Sequence, residues 1–372
     1  MTTSETSTLI PSFAPWLNRT EAQSVLDELG LPRYRSEAWK YTNPQPLIDE
    51  IANLVEVDGD TITSLDDEIE VCSLSSPRAK SLTKTKLGSS VEREQYSPML
   101  ALNLVNLTAG FLIRAEPNVK SSTPLVTIEP AMNRCERFIV IVESGATLQL
   151  EETCDGGNRV FECLIEEGAT LIHKRFQKPS ETVEYGHICV QVGTNSSYRL
   201  DQFSTGAALR RNEIVVDIQG EGARVSVEGG WRLMDQTHVD SQISVNHLAP
   251  RSESGMKFHG VVGGRSRAVF NGRIHIARDA QHTSAHLTNK NILTSDTAEV
   301  YTKPELEIYA DDVACSHGAT SGQLDEDQLL YMRTRGISKN RSREMLLKGF
   351  LNEVVTDTAG SRLLGVSNTA QP

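Results

Sequence analysis

Apolar positions along the chain follow two different rhythms. From about Leu102 to about Ala319 they are Val, Ile and Leu in short runs, such as Phe138-Ile139-Val140-Ile141-Val142 and Glu213-Ile214-Val215-Val216-Asp217-Ile218. β-Branched runs punctuated by Gly and Asn predict strands. No long helical pattern separates them, which argues against alternating strand–helix units. Outside this stretch the pattern is helical and looser. Thr20 and Gln23 fit a capping box ahead of Val25, Leu26 and Leu29, and Gly30 and Pro32 close the segment. A short cluster follows, Glu37-Ala38-Trp39-Lys40-Tyr41-Thr42, and Asp58 to Gln95 reads as polar loops with weak strands.

The strand region repeats. Gly145-Ala146-Thr147-Leu148 recurs 23 residues later as Gly168-Ala169-Thr170-Leu171, with looser echoes at Gly193-Thr194-Asn195 and Gly222-Ala223-Arg224-Val225. A period in the twenties, with a turn glycine per unit, predicts a β-solenoid whose coils stack Val and Ile on one another. A β-sandwich would turn about every 8–12 residues instead. The C-terminal region predicts a helical pair. Asp325-Glu326-Asp327 puts acid at a helix start, Gly336 ends that helix, and Ser338 caps a second. Leu346, Phe350 and Val354 form its apolar stripe, flanked by Leu347, Leu351 and Val355. Such a stripe either docks a partner or packs back on the core. After Gly360 the last residues read as frayed.

Composition narrows the function. Hydrophobic residues are 38% and aromatics 5%, a globular composition poor in bulky rings. No apolar run reaches the roughly 18 residues of a membrane span. The segment Met1 to Phe13 lacks the marks of a secretory signal, so the expected location is cytoplasmic. The formal charge, 37 − 49 = −12, disfavours binding along a nucleic-acid backbone. Six cysteines occur without a CxxC pair, which disfavours a zinc ribbon and, in a reducing compartment, predicts free thiols.

The motifs of self-sufficient catalysis are missing. The chain has no GxxxxGK[ST] and no GxSxG; Gly263-Gly264-Arg265-Ser266 lacks the phosphate-binding lysine, and Gly220-Glu221-Gly222 lacks a third glycine. His282 and His286 have metal-ligand spacing, yet Thr283 stands where a zincin has glutamate; on a strand they, with Ser284, would share a solvated face. Asp311 and Asp312 would point to opposite faces, a poor acid–base couple. The most chemically loaded stretch is Cys315-Ser316-His317-Gly318. Extended, it puts Cys315 and His317 on one face, where thiolate and imidazole suit iron or zinc. The alternative is a small buried thiol and a hydrogen-bonded histidine.

That tetrapeptide sits in a longer string, Thr302-Lys303-Pro304-Glu305-Leu306-Glu307-Ile308-Tyr309-Ala310-Asp311-Asp312-Val313 followed by Cys315 to Thr320. With Phe270-Asn271-Gly272-Arg273-Ile274, Gly322-Gln323-Leu324-Asp325-Glu326 running on to Arg335-Gly336-Ile337, and Glu37-x-Trp39-Lys40-Tyr41-Thr42, it resembles the SufB/SufD family of the SUF iron–sulfur cluster assembly system. The resemblance is strongest over residues 250–355. SufB-like chains carry a cysteine on the strand before the Cys-Ser-His-Gly motif; here the stretch reads Thr288-Asn289-Lys290-Asn291-Ile292, which favours the SufD branch.

The resemblance implies a mainly β fold: a right-handed parallel β-helix core with helical N- and C-terminal segments. The expected division is an irregular helical region at 1–95, the β-helix core at 96–318, and a C-terminal helical segment at 319–372 for ATPase docking. It further implies a non-catalytic scaffold that pairs with a SufB paralogue and carries the SufC ATPase on its C-terminal helices, while binding no nucleotide itself. Iron or a nascent Fe–S cluster would be held transiently at the heterodimer junction by His317, and with less weight by Cys315. No nucleic acid and no membrane are expected as partners. The rival from another class is a β-helix enzyme. Left-handed acyltransferase helices need strict hexapeptide repeats, which steps in the twenties do not supply. A polysaccharide-active enzyme would carry an export signal. A third reading is a purely structural partner whose motif binds nothing.

Overall fold

The computed structural model describes residues 14, 16–17, 19–52, 62–64, 68–86, 97–121, 126–128, 134–154, 156–355 and 357–366. Among these, the strands run in chain order as β1 (Ile62–Ser64), β2 (Ile69–Ser73), β3 (Ala109–Ala115), β4 (Val126–Ile128), β5 (Cys135–Val142), β6 (Thr147–Cys154), β7 (Gly157–Ile165), β8 (Thr170–Gln177) and β9 (Ser180–Val192). They continue as β10 (Ser197–Ser204), β11 (Ala207–Ile218), β12 (Arg224–Leu233), β13 (His238–His247), β14 (Glu253–Val262), β15 (Arg267–Ile276), β16 (Thr283–Leu293), β17 (Glu299–Ile308) and β18 (Val313–Gly322).

From β3 on, even-numbered strands form one sheet together with β1, in the order β1-β4-β6-β8-β10-β12-β14-β16-β18, and odd-numbered strands the other together with β2, in the order β17-β15-β13-β11-β9-β7-β5-β3-β2. From β3 and β4 onward all pairings are parallel, giving a parallel β-solenoid of about 7 turns. The reason lies in the side-chain alternation. In β6 and β8 every second residue is buried, and those residues face the lumen between the two sheets. Leu148, Leu171, Tyr198 and Val225 stack in register through successive coils. Two aromatic groups lie in the lumen: Phe138 and Phe161 stack with ring centroids 4.7 Å apart, and Trp231, Phe258 and Phe270 form a second group.

One column of turns holds the coils in register. Asn118, Gly145, Gly168, Asn195, Gly222, Arg251 and His282 all have φ between 52° and 71°. Asn118, Gly145, Gly168, Asn195, Arg251 and His282 donate their N–H groups to the next coil, as in Gly145 to Glu167 (2.9 Å) and Asn195 to Glu221 (2.8 Å). The echo read at Gly193 is therefore shifted: Asn195 takes the left-handed position, which Asn tolerates by local hydrogen bonding. Gly193 is small for another reason, since a Cβ there would meet the Ile165 carbonyl.

The flanking helices are α1 (Arg19–Leu29), α2 (Gln45–Ala52), α3 (Pro77–Lys86), α4 (Pro98–Val105), α5 (Glu326–Thr334), α6 (Lys339–Asn352) and α7 (Thr358–Leu363). Five expectations need correction. Thr20 lies inside α1, and Gln23 bonds Asp27 rather than closing a capping box; of the expected face, Val25 is buried but Leu29 is exposed. The segment read as loops contains α3, and the stretch read as strands from Leu102 begins inside α4, capped by Ser97. Residues after Gly360 are not frayed as far as Val366: Asp357 caps α7, and Leu364 and Val366 are buried. The buried face of α6 is the flank rather than the expected stripe: Leu347 and Leu351 join one cluster with Phe176, Phe203 and Val261, Phe350 packs against it partly buried, and Val354 lies beyond the helix. The helical pair itself forms as read, with Asp325 and Ser338 as N-caps and Gly336 at φ 83°. Among the described residues no helix is long and apolar enough to cross a membrane.

Candidate functional site

The strand β18 is the last in its sheet and β17 the last in the other, so among the described residues their outer edges carry no further strand. This rim holds the Cys-Ser-His-Gly stretch. In the parallel register Cys315 lies beside Ala285 and His317 beside Leu287, both core residues. Residues paired across a parallel ladder share a face, so Cys315 and His317 are on the lumen side. They differ in cover. Cys315 is half-buried against the core cluster, whereas His317 is exposed because no coil follows to bury it. Burial pushes the Cys315 thiol up, against a weaker effect of the Ala285 backbone. A thiol held protonated is the poorer metal donor.

The rim is also flat. Ala314, Ser316, Gly318, Ala319, Thr320, Ser321 and Gly322 give β18 small side chains, and a Cβ added at Gly318 would meet nothing. By contrast β17 carries Pro304, a residue that sheets accept at edges.

Other residues singled out in the sequence do not join a site. His282 stands in the turn, not on the strand, with Nδ1 2.9 Å from Asp312; His286 Nδ1 is 2.8 Å from the Ser316 hydroxyl. The two histidines therefore serve different partners. Among the described residues no group of three or more His, Cys, Asp or Glu side chains is arranged to hold a metal ion.

The N-terminal motif has a place the sequence did not disclose. Glu37-Ala38-Trp39 forms a single 3₁₀ turn that lies on the outer face of the odd-numbered sheet. The Trp39 ring covers the Arg211 guanidinium at 3.8 Å, Thr42 donates to Asp240 at 2.5 Å, and Tyr41 stacks on Tyr301 at 4.2 Å. Between this motif, Phe270-Asn271 and Tyr301-Thr302-Lys303 lies a cleft of about 800 Å³. Three separated stretches of the family resemblance thus converge on one face. Their partners β11 and β13 carried no motif, so only the fold could bring them together.

The molecule is thus a long parallel solenoid with helices packed on the outer face of its first coils and a rim at its far end that presents a histidine. The SufBD core domain of SUF system FeS cluster assembly matches residues 126–350, and the chain belongs to that family. Among its relatives are the SufBD family protein slr0076 of Synechocystis, 28% identical over 71% of this chain and 63% of the relative, and SufD of Escherichia coli, 36% identical over 41% of this chain and 36% of the relative. SufB of Bacillus subtilis is 24% identical over 68% of this chain and 57% of its own length. The chain thus aligns with less than two-thirds of each of these relatives. The match makes it a SufD-like member of the family.

Proposed function

We propose that this chain is a non-catalytic scaffold subunit in iron–sulfur cluster assembly, joined through its open rim to a SufB-type paralogue. The observation that carries this reading is the free, small-residue edge of β18 with His317 exposed on its lumen side. An uncovered parallel edge offers unpaired N–H and C=O groups to another strand, and small side chains let a second backbone approach. A sibling solenoid ending in the same way supplies a matching rim.

Iron or the nascent cluster is the cargo. His317, with Cys315 behind it, supplies at most two donors from this chain, fewer than a tetrahedral iron takes. The remaining ligands would come from the paralogue across the junction. The chain has no phosphate-binding loop, so ATP-driven motion would come from a SufC-type ATPase docked on α5 and α6 in the cytoplasm. Leu347 and Leu351 are committed to the core, which leaves exposed Leu330, Tyr331 and Met345 as the apolar docking residues.

The test is reconstitution of the full chain with SufB and SufC. The expected result is a stable complex of all three in which His317→Ala leaves assembly intact and lowers the iron–sulfur absorbance formed per complex at least several-fold. A wild-type yield of clusters from the His317→Ala complex removes the site. Failure of the three proteins to co-purify removes the scaffold reading.

A further inference from the structure

On the outer face of the odd-numbered sheet, far along the chain from the Cys-Ser-His-Gly motif, a cysteine is wired to a histidine and a carboxylate. His187 and Cys189 are alternate residues of β9, so both point outward. His187 Nε2 is 2.9 Å from Cys189 Sγ. Its Nδ1 is 3.4 Å from Glu213 Oε2 and 3.2 Å from the Tyr185 hydroxyl, which donates to the same carboxylate at 2.8 Å. Glu213 is the cross-strand neighbour of His187 on β11, and Arg211 holds its other oxygen at 2.8 Å. The Trp39 ring in turn covers Arg211. Nucleophile, base and orienting carboxylate therefore stand in line, the arrangement that activates a thiol. The set opens into a cleft of about 430 Å³, bordered also by Gln191, Ser244 and Asn246.

The other cysteines contrast with it. Cys135, Cys154 and Cys163 are buried, and burial pushes their thiols up, Cys154 to about 12. Cys189 is only half-buried and has an imidazole against its sulfur. Burial alone would lower the His187 imidazolium, but Cys189 and Glu213 outweigh it and lift the group to about 10. The other charged groups around the pair are Arg211 and Asp217 on β11, which line the same cleft, and Glu162 beside Cys189 on β7, which is itself ion-paired to Arg137.

We propose that Cys189 is a nucleophilic thiolate that attacks sulfur–sulfur bonds, taking up sulfur from a small disulfide or from a polysulfide. The Cys189 thiolate bonds to one sulfur of the S–S pair, that bond breaks, and the other sulfur leaves as a thiolate that takes the proton from His187 Nε2. The product is a mixed disulfide, or a persulfide when the donor is inorganic polysulfide. This site is separate from the proposed cargo rim, and its test uses no cluster readout, so either can fail alone.

The full chain is treated with limiting iodoacetamide from pH 6 to pH 8, and each cysteine's modification is followed by mass spectrometry. An ordinary thiol with pKa near 8.5 reacts roughly a hundredfold more slowly at pH 6 than at pH 8. Cys189 is expected to react ahead of Cys72 and Cys315, and its rate at pH 6 to lie within about threefold of that at pH 8. His187→Gln is expected to restore the ordinary steep profile. Separate incubations with glutathione disulfide and with sodium polysulfide then tell which donor loads Cys189; loading by either supports the assignment. A steep profile for Cys189 in the wild-type chain, faster labelling of Cys72 or Cys315, or no adduct from either donor overturns it. The wild-type profile decides the question even if His187→Gln does not fold.

Discussion

The two ends of the solenoid solve the same edge problem in opposite ways. At the start, β2 pairs antiparallel with β3 and β1 antiparallel with β4, and residues of α1, α3 and α4 build an apolar cluster over β3, β5 and β7. At the far end β17 and β18 finish without such a cover among the described residues, and β18 is lined with small side chains. The interior follows the same gradient. Near the closed end the lumen holds a buried ionic cluster: Glu152 lies 3.0 Å from Arg175, 3.3 Å from Arg159 and 3.1 Å from His173. At the open end the ion pairs are outside and wet, as in Lys303 with Glu305 and Arg273 with Glu307. A buried charge set fixes one arrangement firmly, because breaking it strands a charge. An exposed set holds little and leaves the rim free to re-pair.

The largest expected difference is at Glu152. Glu152→Ala leaves buried Arg175 without its carboxylate and Arg159 with Glu136 alone, a loss of about 3–5 kcal/mol in urea unfolding. Burial pushes this carboxyl up, but Arg175, His173 and Arg159 outweigh it and hold it well below the usual range. Its stabilisation is therefore present above the unfolded value near 4.3 and is lost as pH falls below it. If Glu152→Ala unfolds within 1 kcal/mol of the wild type, the closed end is not the anchored one.

Glycines probe the same gradient by volume. At Gly229, in the stacked coils, a Cβ would run into the Gln202 carbonyl and the Phe258 ring. At Gly318, on the rim, it would meet nothing. Gly229→Ala is expected to cost about 1–3 kcal/mol by forcing backbone apart. Gly318→Ala should leave thermal stability within about 0.5 kcal/mol. Equal melting shifts for the two variants would show the coils as loose as the rim.

How much of this was legible depended on whether a signal was local. The β-branched runs gave the strands, and a period of 23 gave the coils, because both are written in consecutive residues. The turn column was only half visible: Gly145, Gly168 and Gly222 stand out, but Asn195, Arg251 and His282 take the same conformation without a glycine to mark it. The α3 helix was hidden by composition, since Pro77–Lys86 has only Ala79 and Leu82 to define an apolar face. The rim motif was readable as chemistry, but not its exposure, which depends on His317 lying on the last coil. The Cys189 relay was invisible, because Glu213 reaches His187 only through the register of β9 with β11.

A pH scan separates the halves next. His247, in the later coils, has hydroxyls at both ring nitrogens, Ser252 at 2.7 Å and Ser254 at 2.8 Å. Burial, with His275 nearby, lowers it to about 4. The unfolded chain takes up this proton near pH 6.5 and the folded chain only near 4. The stabilisation is therefore full above 6.5 and is lost as pH falls toward 4. His247→Gln is expected to lessen the fall in unfolding free energy across that window, where His238, lowered to about 4 by burial, also contributes, while leaving the steeper loss below pH 4.3, to which Glu152 contributes. An unchanged slope between 6.5 and 4 in His247→Gln would assign the titration elsewhere.

The smallest expected effect is on the rim itself. Arg273 Nε donates to Glu307 at 3.0 Å, with both side chains more than a third exposed, and Tyr309 donates to the same carboxylate at 2.7 Å. Water screens such a pair, so Glu307→Ala is expected to leave the stability of the isolated chain almost unchanged. The pair joins β17 to β15 and lies beside the edge that the scaffold reading gives to the paralogue. If that edge is buried on assembly, the same substitution leaves Arg273 unpaired in a drier setting, and its cost should rise when measured as affinity for SufB rather than as unfolding. An equal cost in the two measurements would mean that this part of the rim stays wet in the complex and would confine the junction to β18.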